Sequence, residues 1–320
     1  MKKDATKILK RYEGNPIIDP QNYPGVSLFF NPSPVRLGDE TIVLVSMSEY
    51  ASPSKQTGYY GDTMGQTRVA RSKDGINFTI DEENFIRIPD DFHLATKFGH
   101  YIDNRITKID DTYYIVTPVG LTGFTHPCAM LGKTKDFNKY EFIDIIGGPI
   151  TRGTSLFPEK INGKYYKLDR PGAGSSRADI WISASYDMLH WGEFKPVQNA
   201  GYTRWALKKI GPTPPIKTDK GWLVIIHGVT ESLATRYSLG AMLLDLEEPW
   251  KVIGKTMSPI LTPEEPYEQW GFVPNVVFAC GAIGDIENDE LILYYGAADE
   301  RICLATGKLS EIVDACIEGI

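Results

Sequence analysis

The chain has 320 residues, 42% of them hydrophobic and 23% charged, the composition of a soluble globular protein with a sizeable core. Its formal net charge is −7 and no stretch concentrates Lys and Arg, which argues against a nucleic-acid partner and means that any phosphate must be held by a few locally gathered cations. No window has the apolar length of a membrane helix, and the basic start MKKDATKILKRYEGNPI lacks the apolar core of a signal peptide. Cys128, Cys280, Cys303 and Cys316 are too few and too scattered for a disulfide scaffold or a metal site. The expectation is a cytoplasmic protein with reduced thiols, no membrane contact and no metal.

Along the chain one unit recurs: an apolar strand, a tight polar turn, and a second strand rich in Tyr, Val and Ile. It reads PVRLGDETIVLV from Pro34, NRITKIDDTYYIV from Asn104, FPEKINGKYYKL from Phe157, PPIKTDKGWLVII from Pro214 and VVFACGAIGDIENDELILYY from Val276. The turns Gly38-Asp39, Asp110-Asp111, Asn162-Gly163 and Lys220-Gly221 are hairpin chemistry. After the first three hairpins come VARSKDGINF, LGKTKDFNKY and ISASYDMLHW. In each, a Ser or Thr precedes an Asp by two residues and an aromatic follows four later: Asp74 with Phe78, Asp136 with Tyr140, Asp187 with Trp191. That pattern predicts a strand, a turn held by the Asp, and an aromatic plug. The fourth and fifth units end more loosely, in LGAMLLDLEEPWKVIG and ICLATGKLSEI.

About four strands per unit, at a spacing of roughly fifty to seventy residues, is the signature of propeller blades. The expected fold is all-β: one five-bladed β-propeller over residues 1–320, with a short helix in the tail LSEIVDACIEGI. A β-sandwich or two small β domains are the alternatives. The helix could cover the propeller base or meet a partner chain, so a homo-oligomer stays open.

The innermost strand of each blade lines a central channel, so the residues where those strands begin share one pocket. The five starts are FFNPSP, YIDNRI, RGTSLFP, KKIGPTPP and GFVPNVV. They offer Asn31; Asp103 with Arg105; Arg152, Gly153 and Thr154; and Lys208 with Lys209. Asp103 and Arg105 could equally be a surface ion pair. A glycosidase needs two carboxylates across the scissile bond. Here only Asp103 stands at a strand start, with Glu159 in nearby reserve. One acid facing several cations is the logic of a phosphorylase: the acid protonates a leaving group and the cations hold phosphate.

The stretches DNRITKID, LFPEKINGKY, DIWISAS, KKIGPTPPIKTDKGWLVIIHGV, LGAMLLDLEEPWKVI and GFVPNVVFACGA together resemble glycoside hydrolase family 130, whose members are largely inverting β-mannoside phosphorylases on five-bladed propellers. The resemblance runs from YEGNPII to YYGAADERICLATG. It implies phosphorolysis of a β-1,2- or β-1,4-linked mannobiose or manno-oligosaccharide to α-mannose 1-phosphate. Inorganic phosphate would be co-substrate and no cofactor would be needed. It implies that Asp103 donates the proton to the glycosidic oxygen, directly or through a sugar hydroxyl. Phosphate would be held by Arg152, Arg170 and Lys209, with His227 nearby. Sugar contacts would map to Asn31, Arg68, Arg105 and Asp299, with Asn104, Asp169 and Trp205 also placed at the substrate.

Departures from the family pattern lie around the pocket and bear on acceptor and linkage. Asn104 replaces a proline, Trp205-Ala206-Leu207 stands for Trp-Glu-Ser, Tyr237-Ser238-Leu239-Gly240 stands for Tyr-Arg-Leu-Gly, and RPGAGSSRADIW is long. Trp205 and Trp270 precede strand starts, where they either stack on sugar or fill a blade. GYYGDTMGQT from Gly58 and VGLTGFTHP from Val119 read as rim loops, and no Lys-Ser or Lys-Thr pair makes them a phosphate loop. His93, His100, His126 and His190 show no metal-ligand spacing. Two other functions remain: a β-mannosidase of the same fold, which needs a second carboxylate as base, and a sugar-binding propeller without turnover.

Overall fold

The recurring hairpins form five antiparallel sheets set in a ring, a five-bladed β-propeller. The computed structural model describes residues 5–49, 65–88, 98–121, 127–172, 177–231 and 234–320. Parts of both expected rim loops, the segment 173–176 of RPGAGSSRADIW, His93 and His126 lie outside the described residues. Blade one is Val26–Leu37, Glu40–Glu49, Gln66–Ser72 and Thr79–Ile80. In blade two, Arg105–Ile109 and Phe98–Tyr101 both pair Thr112–Leu121, followed by Cys128–Thr134 and Glu141–Gly147. Blade three is Thr151–Leu156, Tyr165–Pro171, Ile180–Ser185 and Gly192–Gln198. Blade four begins with Lys209–Pro212 and Ile216–Lys217, then Trp222–Glu231, Thr235–Leu244 and Val252–Lys255.

Blade five closes the circle. Val277–Phe278, Ile283–Asp285, Glu290–Ala297 and Arg301–Lys308 are completed by Lys10–Arg11, which pairs Arg301–Lys308 antiparallel. The early strand thus supplies the outer edge of the last blade. Arg11 reinforces this closure with a forked ion pair to the fully buried Glu268, at 2.8 and 3.0 Å. Tyr295 Oη and the backbone N–H groups of Glu264 and Glu265 also donate to Glu268, so this buried charge is well satisfied.

The local chemistry behaves as its residue types dictate. Asn162 and Gly163 turn with φ of 50° and 78°, the left-handed pair of a tight hairpin, and Asp110 sits at 52°. The Asp turns form too. Asp74 accepts from Ile76 and Asn77 backbone N–H at 2.9 and 2.8 Å, and Asp187 accepts from Leu189 and His190 at 2.9 Å. Asp136 accepts from Asn138 at 2.9 Å. The fourth blade, read as looser, has its own version: Asp245 accepts from Glu247 and Glu248 at 2.9 and 2.8 Å.

Because side chains alternate between faces, each sheet packs against both neighbours. The five large apolar clusters lie between consecutive blades: one and two, two and three, three and four, four and five, five and one. The plugs work across these seams: Phe78 of blade one meets Tyr294 of blade five edge-on at 5.7 Å. The helix Leu309–Glu318 buries Leu309, Ile312, Val313, Ala315 and Cys316 against the cluster between blades four and five. It therefore covers its own propeller.

Candidate active site

Asn31, Asp103 and Asp299 share one backbone feature: each sits at positive φ, 50°, 60° and 51°. Asn and Asp tolerate this left-handed region better than other non-glycine residues, and such outliers gather where a side chain must be aimed. Asn31 lies mid-strand at a register shift between Phe30 and Ser33. Asp103 precedes Arg105–Ile109, and its backbone N–H donates to Ser46 Oγ at 3.2 Å. Asp299 comes from the turn between Glu290–Ala297 and Arg301–Lys308.

The Asp103 carboxylate is the centre of the cluster. Asn31 Nδ2 donates to its Oδ1, and Arg152 Nη2 donates to Oδ2 at 2.7 Å. Arg152 stands opposite Arg170 in the ladder of blade three. Arg170 in turn lies 3.5 Å from His227 Nε2. From blade four, Lys209 sits 5.0 Å over the ring of Tyr237. Three blades thus bring one acid and three cations to one place, as the sequence reading expects.

Burial disfavours the ionised form of Asp103, but Arg152 and Arg105, with the Asn31 bond and Arg170, outweigh it and hold the carboxyl below the ordinary range. Asp299 goes the other way: burial, then repulsion from Asp103, pushes it up to about 7 against Lys209 and Arg152. Burial and the crowd of cations lower Arg170 to about 10 and Lys209 to about 8. His227 is lowered by burial and by Arg170, so it is neutral and packs behind that arginine, its ring 4.5 Å from Phe278.

Several expected sugar contacts fall elsewhere. Arg105 is buried below Asp103 and donates to the Asp103 carbonyl at 2.7 Å and the Pro212 carbonyl at 3.1 Å, bracing blade two against blade four. Asn104 is fully buried, bonded to Thr67 at 2.7 Å and Thr117 at 2.6 Å. Trp205 lies flat over Gly228 and Gly240, where any side chain would collide with its ring, so it is blade filler and not a sugar platform. Asp169 points to the opposite face of its strand from Arg170, where Thr154 donates to it at 2.7 Å and Lys167 pairs with it. Strand alternation makes this unavoidable, and it also rules out an Asp169–Arg170 pair. Arg68 lies on the third strand of blade one, 3.6 Å from Glu49. The reserve acid Glu159 is spent on Lys217 at 2.6 Å on the surface, and Lys208 is paired with Glu231.

Two features go beyond the expected roles. Asp299, expected only as a sugar contact, gives the pocket a second carboxyl, from a hairpin turn and not a strand start. Tyr237, marked only as a departure from a motif, lies among Asp299, Arg170, Arg152 and Asp103, and burial followed by Asp299 raises its hydroxyl to about 12. Its neighbourhood with Lys209 could have been read from the pairing of their strands, since Lys209 and Tyr237 both face Val229. Among the described residues no group of three His, Cys, Asp or Glu side chains is placed to hold a metal ion. No helix there is long and apolar enough to cross a membrane.

The arrangement can protonate a leaving group, bind an oxyanion and exclude much of the solvent. Comparison with known proteins points the same way. A model of glycoside hydrolase family 130, described as beta-1,4-mannooligosaccharide phosphorylase, matches residues 2–318. A beta-1,2-mannobiose phosphorylase of Listeria innocua is 39% identical over 285 residues, 87% of this chain and 76% of the relative. A beta-1,4-mannooligosaccharide phosphorylase of Ruminococcus albus is 31% identical over 97% of this chain and 91% of its own. The structure of a Listeria innocua beta-1,2-mannobiose phosphorylase in complex with beta-1,2-mannobiose superposes with a TM-score of 0.86 at 32% identity, covering 96% of this chain and 99% of that one. With the match spanning all five blades and the acid–cation cluster inside it, the chain belongs to glycoside hydrolase family 130.

Proposed function

We propose that this chain catalyses inverting phosphorolysis of β-mannosides, giving α-mannose 1-phosphate and a shortened acceptor. The observation that carries the reading is the junction of Asp103 with Arg152, beside Arg170 and Lys209. A phosphate oxygen held by the cations attacks the anomeric carbon from the face opposite the leaving oxygen. The carbon–oxygen bond to the acceptor breaks, and the Asp103 proton passes to that oxygen, directly or through a sugar hydroxyl.

The ion pair explains how an acid held below its usual range can carry a proton. Arg152 is bonded to Asp103 in the free site. Phosphate brings negative charge beside Asp103 and competes for Arg152, and both effects favour the protonated carboxyl. Nucleophile binding therefore arms the acid. Names of relatives divide between β-1,2 and β-1,4 linkages. The 39% identity to the Listeria innocua protein supports β-1,2-linked mannobiose or short oligomannan as substrate.

One observation favours a second reading. Asp299, raised to about 7 near Asp103, is a candidate base for a hydrolase. Incubation with linkage-defined manno-oligosaccharides, with and without phosphate, separates the two. Mannose 1-phosphate formed only with phosphate is expected. Free mannose released equally fast without phosphate would establish the hydrolase instead, and affinity without turnover would leave a binding protein.

A further inference from the structure

Arg152 and Arg170 stand as direct partners in an antiparallel ladder, an arrangement their like charges oppose. The register shows what permits it. Between the pairs Arg152↔Arg170 and Ser155↔Leu168, two residues, Gly153 and Thr154, stand opposite Asp169 alone. This is a β-bulge, opened by Gly153 at φ 66°. Cross-strand partners share a face, so the extra residue puts Arg152 on the same face as Ser155. A one-residue slip would turn Arg152 to the back of the blade and break the clamp.

We infer that Asp169, with Thr154 and Lys167, is a positioning device that locks this bulge and so holds Arg152 beside Arg170. On the back face, Thr154 Oγ1 donates to Asp169 Oδ1 at 2.7 Å, directly across the bulge. Lys167 donates to Asp169 Oδ2, and Ser183 reaches the same oxygen at 3.5 Å from the next strand. Thr154, Lys167 and Asp169 are 2%, 2% and 5% exposed. A buried charged pair seldom adds net stability over apolar packing, so its presence calls for a geometric reason. Here Asp169, held by Lys167 on its own strand, links Thr154 and Ser183 of the two flanking strands at the one place where this ladder is irregular. Gly153 also packs between Pro212 and the Arg170 Cβ, which seats the bulge against blade four.

The inference rests on the phosphate-clamp reading of Arg152 and Arg170. Its test is Thr154→Val, which removes the hydroxyl at nearly constant volume. One lost buried hydrogen bond that mispositions the clamp raises KM for inorganic phosphate about five- to twenty-fold. KM for the mannoside is expected to stay within about two-fold, because Asn31 and Asp299 are untouched. Thr154→Ser keeps the donor and restores the wild-type phosphate KM. If Thr154→Val does not fold, Ser183→Ala, which removes only the 3.5 Å contact, is expected to raise the phosphate KM about two-fold, and an unchanged value in a folded Ser183→Ala enzyme overturns the inference. A folded Thr154→Val enzyme with wild-type phosphate KM, or with both KM values raised alike, overturns the inference while leaving the phosphorylase reading intact. Wild-type turnover that ignores phosphate overturns both.

Discussion

The acid half and the cation half of the pocket are built in different ways. Asn31, Asp103 and Asp299 belong to blades one, two and five, and all three are aimed by left-handed backbone. Arg152, Arg170 and Lys209 belong to blades three and four and project from paired strands. Short side chains must be brought to the reacting atoms by the backbone, and Asn and Asp are the non-glycine residues that bear the required φ. Long flexible side chains reach by themselves and need only the correct face and a partner to hold them. The acid half is therefore sensitive to chemistry at single atoms, and the cation half to register and to total charge.

The sharpest break is Asp103→Asn. It keeps the fold and the Asn31 and Arg152 neighbours but removes the proposed proton donor, so turnover of a mannobiose is expected to fall about a hundred- to ten-thousand-fold. A mannosyl fluoride, whose leaving group needs little protonation, is expected to lose far less. Near-normal activity on the disaccharide would move the acid role to Asp299.

On the other side, Arg152→Ala, Arg170→Ala and Lys209→Ala should each raise KM for phosphate. A hydrogen bond to a charged group contributes about 1.5–3 kcal/mol, or roughly ten- to a hundred-fold. Steady-state kinetics against phosphate at saturating mannoside gives the answer. Wild-type phosphate dependence in all three variants would contradict the clamp.

The halves also differ in their pH response. Lys209, lowered to about 8, is charged below that pH and neutral above it. KM for phosphate is therefore expected to climb several-fold as pH rises through about 8, and Lys209→Arg should move the climb to higher pH. Asp103 is expected to respond oppositely to ligand: phosphate should raise its proton affinity, so the alkaline limb of the rate profile should move up between low and saturating phosphate. A limb that ignores phosphate concentration would separate the acid from the clamp.

The smallest effect is expected at the rim. Trp270 is 70% exposed, and the loop carrying it is anchored below by buried Glu268 and packs through Gly271 against Ala298, beside Asp299. An exposed ring on a rigid loop suits stacking on an acceptor sugar. Trp270→Ala should raise KM for a mannotriose about two- to ten-fold and that for a mannobiose less. Equal effects on both would place the ring outside the acceptor path.

Much of this was legible in the residues because it is local. Turn pairs such as Asn162-Gly163, the Asp74, Asp136 and Asp187 turns, and the alternation of each hairpin depend on neighbours within a few residues, and all formed as their chemistry requires. Five strand starts in a ring were enough to set Asp103 before Arg152 and Lys209. Even the separation of Asp169 from Arg170 follows from a period of two, although the motif KLDRP invites reading them together.

Tertiary structure alone decided the rest, each time through contacts distant in sequence. Asp299 becomes a second pocket carboxyl, raised to about 7, only because the fold buries it beside Asp103. Trp205 is buried because Gly228 and Gly240 leave a flat bed for its ring, which no local pattern announces. The bulge at Gly153 reverses which side of a strand faces the channel, and only pairing with Tyr165–Pro171 reveals it. Local propensity determined the hairpins and the residues offered to the channel; packing between blades determined which of those residues meet, since only there do long-range contacts outweigh the preferences of the chain itself.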